Sequence, residues 1–304
     1  MNPEDFVKQL EKISEESGIP YRRAHILFDK EEEHEAAALK YKGYLSLSDA
    51  FKCFFLETVE LLNAECIPKV SNPISDSYSL FVPRLTHAFQ SLCGTERISL
   101  RGYPYHGYTL LRNTFDSLVL MSAAIQRITD FYSIEGIDPG KPYDEKAARK
   151  FRKDTETNVR RKMTGNLSGL TVGTVEELSK WDSLFDLETH GGRLSLTRAV
   201  GWMSGKESLA VLPQFEERAS GMFMNRFGEI SWMLHRLLPH VQPPGLPIPG
   251  AWKDKWNVLD DSFRIYVSSL TEQLNKPIGA AVVELVTVKF PFNADSNFPS
   301  SHWP

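Results

Sequence analysis

The sequence predicts an all-α fold, and three observations carry that expectation. Apolar residues recur at spacings of three and four along most of the chain, period-2 alternation is nearly absent, and Pro or Gly punctuates the apolar stripes. With 304 residues, 41% of them hydrophobic and 24% charged, the chain can bury a sizeable core and lies near the upper size for a single one.

The elements follow in order. Asn2 is placed to cap a first helix with Pro3 at its first turn and Phe6, Leu10 and Ile13 on one face, stopping before Gly18. An acidic helix is expected over about 29–42, and a Phe-rich one over 47–67 that Pro68 terminates. The next is predicted to start at Pro83 and to end at Gly94 as its C-terminal cap. The longest candidate runs over about 104–132. It has few polar residues between 117 and 125, so it is expected to be the central helix of the fold. After a turn at 138–142 comes a basic helix, then a polar Gly-rich loop over 165–173. Thr174 and Glu177 form a capping box that opens a further helix closed by Gly191 and Gly192. A long helix over 213–240 ends in a Pro-rich connector, a last helix carries Trp256, Phe263 and Leu270, and a Val-rich segment at 280–290 reads as a lone strand. The organisation expected is a helical arm over 1–44, a bundle over 45–241, and a C-terminal helix with a short extended tail over 251–304 packed on that bundle.

Composition narrows the function classes. The charge-free stretch Ser117 to Gln126 is far shorter than the ~18–20 residues a membrane span needs. The acidic N-terminus lacks the basic-then-apolar pattern of an export signal, so a cytoplasmic location is expected. Cys53, Cys66 and Cys93 have neither disulfide-framework nor metal-ligand spacing, and no cofactor motif is found; they read as small buried hydrophobes. The net charge of −4 hides an asymmetry, because residues 146–162 hold eight basic against two acidic side chains. That segment, with Arg149, Arg152, Lys153, Arg160, Arg161 and Lys162, could hold an RNA backbone or an acidic protein surface. One such surface is Asp29 to Glu35 of a second copy, which would make a homodimer.

Several motifs are rejected on spacing. Gly201 to Glu207 has too few residues between its glycines for a phosphate loop, and Glu207 stands where a hydroxyl should hold magnesium. Arg101 and His106 are spaced as in the signature of a metal-independent RNase, but Pro104 between them marks the start of a helix rather than its interior.

Two polar constellations remain. Tyr108, Arg112 and Asp116 fall at i, i+4 and i+8 on one stripe of the apolar helix, where a buried Arg112 would need Asp116 as partner. His190 ends a later helix before paired glycines, where the dipole favours its protonated form. The plain alternatives are an internal ion pair and a capping histidine.

Leu110 to Asp116, preceded by Gly102, Tyr103 and Pro104, and the later Leu178 to Trp181 through Glu188 to Gly191, resemble the two landmarks of an uncharacterised bacterial family of HEPN-like helical proteins. The resemblance spans roughly residues 45 to 240. It implies an up-and-down helical bundle, often dimeric, with Arg112, Asp116 and His190 at the matching positions. Some such proteins are RNases of toxin or antiviral systems; others are non-catalytic binding modules. Here no Arg in the late helices is followed by a His with four to six residues between them, since Arg226 and His235 are farther apart. The expected function is therefore a helical interaction protein of a bacterial stress or defence system. Two alternatives stand beside it. One is a metal-independent RNase in which His190 is the base, Arg112 steadies phosphate charge, and Tyr108 and the basic helix hold substrate; the other is a small-molecule pocket lined by Tyr108, Arg112 and His190.

Overall fold

A computed structural model describes residues 3–18, 25–66, 76–138, 141–142, 144–162, 217–241 and 248–274. The described residues are helical apart from short turns, with no strand among them, so the all-α expectation holds. The elements are α1 (Pro3–Ser17), α2 (His25–Ala38), a 3-10 turn (Leu39–Tyr41), α3 (Lys42–Leu61), a π-helical turn (Leu62–Cys66), α4 (Asp76–Leu100), α5 (Pro104–Ile125), α6 (Phe131–Glu135), α7 (Glu145–Lys162), α8 (Glu217–Leu237), a 3-10 turn (Leu238–Val241) and α9 (Gly250–Leu274). The expected loop at 165–173, the helix from Thr174 to His190 and the Val-rich strand lie outside the described residues.

Helices α4 and α5 form an antiparallel hairpin, and α8 packs across both, with α3 and α9 completing the core. Aromatic rings fill it. Phe55 of α3 stacks on Phe89 of α4 with centroids 3.9 Å apart, and Tyr44 meets Phe227 of α8 edge-on at 5.7 Å. Trp252 of α9 is buried and donates its indole N–H to Thr58 Oγ1 of α3 at 2.9 Å, so the C-terminal helix shares this core. The boundary expected at residue 44 falls inside α3.

Cys53 is exposed on α3 rather than buried, and three expectations about the helices need correction. Helix α4 begins at Asp76, with Pro83 in its second turn and Gly94 in its interior. A mid-helix proline removes one hydrogen bond, here the one to the Ser79 carbonyl, and an interior glycine costs about 1 kcal/mol. Burial of Phe81, Leu85, Ala88, Phe89 and Leu92 against the neighbouring helices outweighs both. The true end is the turn after Leu100, where Gly102 takes φ 97° and the Gly102 and Tyr103 amides donate back to Ser99 and Ile98.

The helix expected over 104–132 stops at Ile125. Asp130 then caps α6 by accepting from the Ser133 amide at 2.8 Å, and Gly136 ends α6 in the left-handed region at φ 71°. A Cβ at Gly136 would lie 2.5 Å from the Ala148 carbonyl, so this glycine also admits the close approach of α7.

The third correction concerns the central helix. Helix α5 is buried nearly all round only from Leu118 to Ala124 and keeps Thr109 and Asn113 exposed in its first half, whereas nearly every described side chain of α8 is buried. Hydropathy ranks α8 low because its interior holds charges, and these are paired. Arg226 Nη1 lies 2.6 Å from Glu229 Oε2 with both side chains 3% exposed. Arg236 donates from Nε and Nη2 to the Asp260 carboxylate at 2.8 and 2.6 Å, and Trp232 Nε1 donates to the same group at 2.6 Å.

Candidate functional site

The predicted stripe on α5 divides as it climbs out of the core. Tyr108 is buried at 2% exposure, with its ring edge-on to Phe223 of α8 at 5.6 Å, so it is a core residue and presents no surface to a substrate. Arg112 and Asp116 are partly exposed, at 21% and 25%, and their ion pair is long, Nε to Oδ2 3.7 Å. The drift is geometric: four residues advance 400°, so each step of i+4 rotates the stripe about 40° past a full turn. Arg112 is thus not sealed in the core as expected. His190 lies outside the described residues, and with it any meeting of His190 and Arg112.

Asp116 belongs to a groove of about 520 Å³ between α4 and α5. From α4 come Leu80, Pro83, Arg84 and His87, and from α5 come Asn113, Asp116, Ser117 and Leu120; each set has the i, i+3, i+4, i+7 spacing of one helix face. Glu135 of α6 closes one end. Arg84 donates from Nε to Glu135 Oε1 at 2.6 Å and lies 3.4 Å from Ser117 Oγ, which fixes the short helix α6 on the hairpin. Sequence reasoning missed Arg84, His87, Asn113, Ser117 and Glu135. The α4 stripe was legible once the helix is taken to start before Pro83; its apposition to α5 was not.

The second candidate surface is α7. Ala148, Thr155 and Val159 are buried against α5 and α6, and Lys146, Arg149, Lys150 and Lys153 project from the opposite side as an exposed basic stripe. Arg149 is paired with Glu145 at 2.5 Å. Lys146, Lys150 and Lys153 make no ion pair among the described residues. Arg152 is not on this stripe: it is half-buried, with its stem close to where a Gly136 side chain would be. The backbone of Arg160, Arg161 and Lys162 completes the last turn of α7.

Arg101 and His106 do not share a helix. Arg101 lies in the turn after α4 and His106 in the first turn of α5, with Pro104 opening that helix as expected. Glu31 of α2 takes both nearby donors, Arg101 Nη1 and the Tyr103 hydroxyl, each at 3.0 Å. His34 Nδ1–H donates to the Leu100 carbonyl at 2.7 Å, and burial holds its pKa below the ordinary value. These contacts dock α2 on the α4–α5 corner.

No family model, curated protein or solved structure matches the chain. Among the described residues no group of three or more His, Cys, Asp or Glu is placed to hold a metal ion, and no helix is long and apolar enough to cross a membrane. The other strongly perturbed groups are internal to the core. His235 and His240 are pushed down to about 4 by burial, and burial raises Glu229 above the usual carboxyl range despite Arg226 beside it.

Proposed function

We propose that this chain is a HEPN-like helical interaction protein that binds RNA through the basic face of α7. The observation that carries the reading is the set Lys146, Lys150 and Lys153, exposed on one face with no ion pair among the described residues. Like charges at i, i+4 and i+7 on a helix raise the local potential, and a polyanion relieves it while releasing counterions. The resemblance of the Leu110 to Asp116 and Glu188 to Gly191 segments supplies the HEPN-like label and the setting, bacterial stress or antiviral defence.

The test is fluorescence anisotropy of the purified protein with a labelled single-stranded RNA in chelator, from 50 to 200 mM salt. Three lysine–phosphate contacts predict that the slope of log K against log salt loses about 2 in Lys146→Gln/Lys150→Gln/Lys153→Gln. Equal binding by native and triple-variant protein removes the reading, as does no binding at 50 mM salt. Binding to an acidic protein in place of RNA would leave α7 as the surface and change the partner.

A second reading, a metal-independent RNase, is favoured by one observation: Arg112 and Asp116 are solvent-reachable beside the α4–α5 groove. It requires that the RNA is cut in chelator and that Arg112→Ala and His190→Ala each abolish cutting.

A further inference from the structure

We propose that the α4–α5 groove is a binding site for an α-amino acid with a large apolar side chain, its carboxylate held at Arg84 and its ammonium at Asp116. The site is separate from the exposed face of α7.

The groove is a surface depression of about 520 Å³, within the ~300–1,000 Å³ range typical of small-molecule sites. Its apolar lining is supplied by Leu80, Pro83 and Leu120, beside its polar groups. Among the described residues three charged side chains line the groove. Arg84 and Glu135 meet at 2.6 Å at the α6 end, and Asp116 lies 3.7 Å from Arg112, which is outside the lining. This arrangement selects ligand charge. A simple anion drawn to Arg84 would face both carboxylates, and a simple cation drawn to Asp116 would face the guanidinium. A zwitterion with its two charges a few ångströms apart gives each a partner.

The donors and acceptors fit that role. Arg84 uses Nε for Glu135 and Nη1, weakly, for Ser117 at 3.4 Å, which leaves guanidinium N–H groups for a carboxylate. Ser117 is next to Asp116 in sequence and in hydrogen-bond range of Arg84, and all three line the groove. The antiparallel register that sets Arg84 against Ser117 also sets His87 opposite Asn113, two more groups able to donate or accept at the far end. An apolar side chain on Leu80, Pro83 and Leu120 would leave water as the ligand enters. That burial favours leucine or phenylalanine over glycine or alanine, at about 0.8 kcal/mol per CH₂.

The experiment is isothermal titration of the full-length protein with L-leucine and L-phenylalanine. N-acetyl-L-leucine, which lacks the ammonium, and isoamylamine, which lacks the carboxylate, are titrated alongside. The expected result is binding of the two amino acids and at least tenfold weaker binding of both truncated probes. Asp116→Asn should weaken L-leucine at least tenfold. Because Arg84 also holds α6, the control for folding is Leu120→Trp, which fills the groove without touching a charge. Its helical circular dichroism and melting should match the native protein while amino-acid binding is lost. Three outcomes each overturn the proposal: no heat with either amino acid at 10 mM, equal binding of N-acetyl-L-leucine, or full binding retained by a folded Leu120→Trp protein.

Discussion

Acid should destabilise this fold through two histidines at the end of its central helix. His235 stacks on Trp256 with centroids 4.9 Å apart, and Phe51, Phe54 and Phe263 surround the ring. Its Nε2–H donates to the Trp256 carbonyl at 3.0 Å, and Trp256 Nε1–H returns a bond to the His235 carbonyl at 3.1 Å. Nδ1 of His235 and Nε2 of His240 are buried without a hydrogen-bond partner, so a second proton placed on either atom would be neither solvated nor bonded. Burial is the main cause of the low values, about 4 for each, against 6.5 for an exposed imidazole; for His235 the Asp260 carboxylate pulls upward and Arg236 downward. The sign follows from proton counting. Between pH 6.5 and pH 4 the unfolded chain binds protons that the folded chain refuses, so this stability is complete above pH 6.5 and is lost as the pH falls toward 4. The full interval corresponds to about 3 kcal/mol per ring, of which about 2 kcal/mol is lost between pH 7 and pH 5. Urea unfolding at both pH values, compared among native, His235→Gln and His240→Gln proteins, isolates each ring from the carboxylates. The native protein should lose about 2 kcal/mol more on acidification than either variant. Parallel pH dependence in all three would show that the rings are not buried neutral, and the reasoning would fail.

Two further outcomes test the packing. Gly107 of α5 has no room for a methyl group: its Cβ would overlap Ser99 Oγ and lie 2.8 Å from the Phe223 ring. Gly107→Ala should therefore lower stability by about 1–3 kcal/mol, reversing the ~1 kcal/mol gain expected of alanine in an open helix; a rise in melting temperature would refute the contact. Arg226→Met should cost about 3–5 kcal/mol by stranding Glu229, while Arg226→Met/Glu229→Leu recovers most of it. Equal loss in the single and double variants would mean that the guanidinium matters through other contacts.

The helical class and most helix positions were legible in the chain alone, because apolar spacing and end signals act over three or four residues. Pro104 at the start of α5, the basic run of α7 and the stripe from Trp256 to Phe263 are all local facts of this kind. Local rules failed where a tertiary contact outweighed a propensity. Pro83 and Gly94 read as helix ends, yet they sit inside α4 because the face made by Phe81, Leu85 and Phe89 is buried against its neighbours. Helix α8 reads as more polar than α5 and is more deeply buried, because Asp260, twenty-four residues after Arg236, reaches it from another helix. The groove has the same origin. Spacing could show that Arg84 and His87 share a face, and likewise Asn113, Asp116 and Ser117; only the turn at Gly102 and the antiparallel register bring the two faces together. A cleft is a property of two surfaces at once, and one-dimensional periodicity describes one surface at a time.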